Sequence, residues 1–205
     1  MGKHKNKPQK GGEVFQGDSI EEPLVALIAI LEARDEFTKE HSMRVASVAS
    51  RLAQICKVDV ELRQKITRAA MLHDIGMVSV PDAILLKPGH LTPDERKLIQ
   101  ATPHVAVKIL KSIKSLKDER EMILHHGERW DGSGYPDGLK GNDIPLGSRF
   151  ITIAKAIDAM TQNRAYRRAR PLSFCLEQLK HCSGSQFDPQ IAKVAMGKGL
   201  LRCKR

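Results

Sequence analysis

The feature that most constrains this chain is the spacing of its apolar residues, which follows the helical period almost throughout, while the Val/Ile/Thr alternation of strands is scarce. An all-α fold is expected. A chain of 205 residues buries one core, so a single domain is expected over 18–199, between basic disordered tails at 1–17 and 200–205. Asp18 and Ser19 can cap a first helix with Pro23 in its first turn. Further helices are expected over about 38–56 and 60–74. Thr92 and Glu95 have capping-box spacing with Pro93 between them, which opens a short helix toward Gln100. Others fit 103–113, 117–126, 148–161 and 172–182, and a last one starts at Asp188–Pro189. The segment "ERWDGSGYPDGLKGNDIPLG" is too rich in Gly, Pro and Asp to be helix, and a loop of that length in a small domain usually serves function.

Charge and cysteine usage narrow the function classes. The formal net charge of +10 is compatible with a nucleic-acid surface, an acidic partner or a phosphate-bearing small ligand. Few aromatics are interleaved with the basic residues for base stacking, so nucleic acid is the least favoured partner. Cys56, Cys175, Cys182 and Cys203 form no Cys-x-x-Cys pair and read as reduced thiols. No apolar run approaches the roughly 20 residues that cross a bilayer. A cytoplasmic location without a membrane span is expected.

The histidines carry the chemistry. His41 shares a helical face with Val45, Val48 and Leu52, and His73 shares one with Leu62, Ile66 and Ala69, so both rings should point inward. One inward histidine is more often a satisfied core residue than a ligand. Two of them, with Asp74 adjacent and His125–His126 following, supply the imidazole and carboxylate set of zinc, iron or manganese hydrolytic sites. The spacing fits either a present or an ancestral metal site. His73 and Asp74 are the candidate catalytic pair.

The stretches "HSMRV", "MLHDIGM", "PDAILLKPGHLTPDE", "GERWDGSGYPDGLKGNDIPLGSR" and "QFDPQI" together resemble the HD-GYP subgroup of the HD metal-dependent phosphohydrolases, over about residues 34–191. The resemblance implies a bundle of about seven to nine helices with a long GYP loop, whose active members hydrolyse cyclic di-GMP at a centre of two or three metals. It puts ligands at His41, His73, Asp74 and His126. It also marks departures. A ligand histidine of the family falls on Thr102, the second of a His-His pair on Gly127, a metal carboxylate on Lys155, and a phosphate-contacting lysine on Met77. His104 lies about 200° around the helix from Thr102, and His125 would need a local bulge to reach the centre, so both are weaker candidates. Asp158 survives in a structural role. Arg164, Arg167 and Arg168 match a basic segment that contacts phosphates in some members, with a solvated helix end as the alternative. Gly134, Tyr135 and Pro136 keep the GYP loop, where tight turns and simple packing are the alternative, and Trp130 fits a core anchor or a surface contact.

Two readings follow from those departures. In the first the chain is a degenerate, non-catalytic module that binds a cyclic dinucleotide or a regulatory signalling protein, with no metal and with the Lys155 ammonium standing as a metal surrogate beside Asp74. In the second it is a working cyclic di-GMP phosphodiesterase with a single iron, manganese or other divalent ion on His41, His73 and Asp74. The first is favoured.

Overall fold

Asp59, Thr92 and Asp188 each start a helix by supplying the oxygen that an exposed first-turn amide lacks. Asp59 accepts from Leu62 N at 2.9 Å, and Asp188 accepts from Gln190 N at 2.8 Å. Thr92 and Glu95 close the expected capping box, each side chain taking the other residue's backbone N–H. The computed structural model describes residues 21–34, 36–163 and 168–197. Among them are nine α-helices of seven residues or more, one single-turn helix and no strand; an isolated bridge joins Ser183 to Phe187.

The helices are α1 (Glu21–Arg34), α2 (Glu36–Ile55), α3 (Val60–Leu72), the single turn α4 (Asp82–Leu85), α5 (Pro93–Gln100), α6 (Thr102–Leu110), α7 (Lys117–Leu124), α8 (Leu146–Thr161), α9 (Leu172–His181) and α10 (Pro189–Ala195). The caps proposed at Asp18 and Ser19, both basic tails and Cys203 lie outside the described residues. Cys56, Cys175 and Cys182 are free thiols. No described helix is long and apolar enough to cross a membrane.

The core forms where α2, α3 and α8 meet. Val45, Ala49 and Leu52 of α2 pack with Ile66, Ala69 and Leu72 of α3 and with Phe150, Ile151 and Ala154 of α8, all fully buried. These are the faces the helical period picks out, and burying each large aliphatic side chain is worth about 1.5–3 kcal/mol before entropy is subtracted. His41 and His73 sit on those faces, so the core that stabilises the bundle also brings them together.

Several ends differ from expectation. The helix expected to run through Asp74 stops at Leu72, and residues Ile75–Ser79 form a 3₁₀ turn in which Met77 N donates to Asp74 O at 2.9 Å. The chain must turn there because Gly76 lies against α6: any side chain at Gly76 would collide with the Thr102 carbonyl. The helices expected to end at 113 and 126 end at Leu110 and Leu124. The Gly/Pro-rich segment is a loop, as its composition requires, with one 3₁₀ turn at Gly141–Asp143. Its chain is tied down by Asp131 N to Ser185 O at 2.8 Å and Gly141 N to Trp130 O at 3.0 Å.

Candidate metal centre and ligand cavity

Asp74 is where the site converges. One of its carboxylate oxygens, Oδ2, lies 3.1 Å from His73 Nε2 and 3.6 Å from His41 Nε2. His41 comes from α2, His73 caps the C-terminus of α3, and Asp74 leads the 3₁₀ turn that follows. The His126 ring, just beyond α7, stands edge-on to His73 at 5.3 Å between centroids, and the His41 ring at 5.4 Å. All three histidines are buried.

The other ring nitrogens fix the tautomers. His73 Nδ1 donates to Ala70 O at 2.7 Å and His126 Nδ1 to Ile123 O at 2.6 Å, and a carbonyl oxygen can only accept. His41 Nδ1 donates to Asp158 Oδ2 at 2.6 Å. The Nε2 atoms of the two neutral rings therefore carry lone pairs. His73 Nε2 is buried and lies 3.1 Å from Asp74 Oδ2 without the alignment of a good hydrogen bond. A donation of Nδ1–H to a carboxylate or carbonyl is what orients imidazoles that ligate metals.

Electrostatics agree with that assignment. Burial pushes the pKa of His73 down, aided by Lys155 and His41 and opposed by Asp74; burial, Lys155 and His73 push that of His126 well down. Burial opposes the ionisation of Asp74, yet His73, the Lys155 ammonium and His41 hold its carboxyl well below the usual range. Burial thus disfavours charge on the His73 and His126 rings, while the groups around Asp74 favour its ionised form. Asp158, buried on α8, is likewise raised by burial and more than offset by bonds from His41 and Arg44.

These groups line a cavity of about 530 Å³, whose walls include His41, Asp74, Thr102, His126, Tyr135 and Lys155. Met77, Gly127, Arg129 and Gly134 line it as well. Pro136 is half-buried beside them in the chain. Glu128, buried, clamps the GYP loop by accepting from Asp137 N at 2.8 Å and Gly138 N at 3.1 Å. Burial, then Asp74 and Glu128, raise the pKa of the Tyr135 phenol, which stays protonated at neutral pH.

Not every candidate from the sequence arrives. His104 is exposed on α6 and is not part of the cavity wall, because two residues along a helix carry it to the far side. His125 is buried, but its ring is spent elsewhere, on Glu121 O at 3.0 Å and Asp137 Oδ2 at 2.9 Å, and no bulge turns it inward. Arg164 and Arg167 lie outside the described residues, and Arg168 is exposed. Trp130 is half-buried with the Arg149 guanidinium 5.7 Å above its ring. Two relationships were beyond sequence reasoning: the Glu128 clamp and the packing of Tyr135 on Gly127, both set by the path of a loop that has no period.

The donor set fits one divalent ion and not two. Ligand atoms of His41, His73 and Asp74 lie within 4.8 Å of one another, the buried Nε2 of His73 lies beside the carboxylate, and three protein ligands with an open position suit a catalytic site. A second ion finds less. The Thr102 hydroxyl is committed to Ile99 O at 2.7 Å, Gly127 has no side chain, and Lys155 brings a positive charge.

The matches to known proteins follow this geometry. The HD domain model matches residues 26–191. A cyclic di-GMP phosphodiesterase of Thermotoga maritima is 36% identical over 179 residues, covering 86% of this chain and 49% of that protein. The cyclic di-GMP phosphodiesterase response regulator of Xanthomonas campestris pv. campestris is 36% identical over 171 residues, covering 82% of this chain and 45% of its own. This chain thus spans about half the length of the curated relatives it matches. The crystal structure of a cyclic GMP-AMP specific phosphodiesterase of Vibrio cholerae superposes with a TM-score of 0.63 at 18% identity over 85% of this chain and 47% of that one, a likeness of fold. With the His-Asp pair at the end of α3, the GYP loop over the cavity and a family match across most of its length, this chain belongs to the HD domain family, in its HD-GYP branch.

Proposed function

We propose that this chain is a non-catalytic HD-GYP module that binds a cyclic dinucleotide in the cavity over Asp74 and passes that binding on as a regulatory signal. The observation that carries the reading is Lys155, which shares the cavity with Asp74 and bears electrostatically on Asp74, His73 and His126 together. An ammonium pairing with Asp74 supplies the positive charge that the converging lone pairs and carboxylate require, and it repels a divalent ion at short range. Thr102 and Gly127 contribute no ligand to a second ion. The cavity volume falls in the range of small-molecule sites, and the relatives' own names give cyclic dinucleotides as their substrates. Arg129 at the wall, with Arg164, Arg167 and Arg168 of the basic segment, supplies forks for phosphate oxygens.

One specific observation favours a second reading, a phosphodiesterase with one metal: the cluster of His41, His73 and Asp74 keeps orienting partners on its histidines. In that case those three residues would hold a divalent ion, which lowers the pKa of bound water and offsets phosphoryl charge. His126, neutral and held by Ile123 O, would then present its Nε2 as a proton acceptor at the cavity wall.

The test is calorimetric titration of the protein with cyclic di-GMP in EDTA, beside a turnover assay with added manganese or iron. Binding that persists in chelator without turnover is the expected result. Turnover that disappears in His73→Ala would establish the second reading instead.

A further inference from the structure

We infer that Tyr135 and Gly127 form a matched pair, in which the phenol ring occupies the half-site that a metal-binding side chain at position 127 would fill. The inference rests on the reading that the second half of the centre is vacated, and it says what keeps it so. A Cβ built on Gly127 would stand 2.5 Å from Tyr135 Cε2 and 2.6 Å from Cζ, far inside contact distance. The ring therefore covers the very face of residue 127 from which a side chain would project. Loss of the family's histidine is then more than the deletion of one ligand. It is the condition under which the loop tyrosine can lie where it does.

The ring is not placed there by chance of rotamer alone. Tyr135 N donates to Gly127 O at 3.3 Å, so the loop is sewn to the residue that its side chain covers. Two residues further on, Glu128 grips the loop through Asp137 N and Gly138 N at 2.8 and 3.1 Å. The backbone beside the tyrosine is held, so the ring yields to a new side chain by turning about its own side-chain bonds, and the open space next to it is the cavity it already lines with Asp74 and His126. There it would occupy the space open to a ligand or an ion. Returning a histidine to position 127 therefore fails to rebuild a two-ion centre while Tyr135 remains. Tyr135 is a positioning residue here: it closes one half of the centre and leaves the His41, His73 and Asp74 half open.

The experiment has two arms. In the first, Gly127→Ala, Tyr135→Ala and the double variant are unfolded thermally in metal-free buffer. Gly127→Ala is expected to lower the midpoint by several degrees when Tyr135 is present and by none when it is absent; additive effects would overturn the pairing. In the second, the variant Thr102→His/Gly127→His/Lys155→Asp is dialysed against manganese with and without Tyr135→Ala, and bound metal is counted. One ion per chain with the tyrosine and two without it is the expected result. Two ions with Tyr135 in place, or one ion in both, would overturn the claim that the ring is the barrier. Should the multiple variants not fold, the first arm decides alone. Two ions bound per chain by the unaltered protein would remove the reading of a vacated half-centre while leaving the outcome of the first arm untouched, so the two failures are told apart.

Discussion

His41 and Asp158 are 117 residues apart in sequence, yet His41 Nδ1 donates to Asp158 Oδ2 across 2.6 Å, joining α2 to α8 at the edge of the site. The other oxygen of the same carboxylate takes Arg44 Nε, also at 2.6 Å, from the next turn of α2. One buried anion thus holds two donors of one helix. The consequence for the site is directional: with Nδ1 engaged behind it, His41 presents Nε2 toward Asp74.

Asp158→Asn keeps the size and removes the charge that both donors need. Breaking a buried ion pair from one side typically costs 3–5 kcal/mol, and Arg44, 30% exposed, recovers part of its loss from water. A loss of about 3 kcal/mol in urea unfolding is expected. In the Lys155→Met background, where the cluster of His41, His73 and Asp74 is open to a divalent ion, Asp158→Asn should also weaken manganese uptake, because the imidazole loses its orientation. An unchanged urea midpoint would remove Asp158 from this role.

His125 offers the contrasting case. Its ring is bonded to Glu121 O and Asp137, away from the cavity, so His125→Ala should destabilise by about 1–2 kcal/mol through lost hydrogen bonds. It should leave dinucleotide affinity as it was and, in the Lys155→Met background, manganese uptake as well. His73→Ala in that same background, by contrast, should abolish metal uptake. Dialysis against manganese followed by elemental analysis distinguishes the two, and equal losses would mean that His125 reaches the centre after all.

How much of this was legible beforehand depends on the kind of contact. The bundle was, because a 3.6-residue period states which face of α2 and α3 is buried, and His41 and His73 lie on those faces beside Leu52 and Ile66. The capping box at Thr92 was legible too, since its residues are three apart. The end of α3 was not: the period runs on through Asp74, and only the approach of Gly76 to Thr102, far along the chain, makes it stop. Likewise α4 and the 3₁₀ turns are too short to show a period. Asp158 is legible in the sequence but its partners are not, because nothing local records a contact across α2 and α8. Tyr135 against Gly127 depends on the loop's path, and a loop that forms few repeating contacts leaves no pattern to read.

Glu95 gives a clean pH dependence away from the site. The Lys87 ammonium, at 2.7 and 2.9 Å from its two oxygens, and the Thr92 amide hold its carboxyl below the ordinary value of 4.5. A carboxyl depressed on folding contributes stability that is complete above its unfolded pKa and is lost as pH falls through the folded one. Glu95→Gln should therefore lower the thermal midpoint at pH 7, and the gap from the unaltered protein should close as pH drops below about 4.5. A gap that widened with acid would contradict the sign.

Lys155 carries the heaviest burden, and Lys155→Met isolates it. The substitution keeps an unbranched chain of similar reach while removing the ammonium that helps hold Asp74 ionised and His73 and His126 neutral. Asp74 would then face imidazole lone pairs without that cation, a buried carboxylate stripped of a partner. Because the Asp74 side chain is 19% exposed, the full penalty of a buried pair does not apply, and a loss of about 2 kcal/mol at pH 7 is expected. The sign with pH follows from the depressed carboxyl: the loss is complete above about pH 4 and shrinks as acid protonates Asp74 in both proteins. Manganese should reverse the order. With the ammonium gone, the cluster of His41, His73 and Asp74 offers the charge position to a divalent ion, so added metal should restabilise Lys155→Met and leave the unaltered protein unmoved. Urea unfolding at pH 7, with and without manganese, reads both effects. If the variant is as stable as the parent without metal, the ammonium does not occupy the place of the cation.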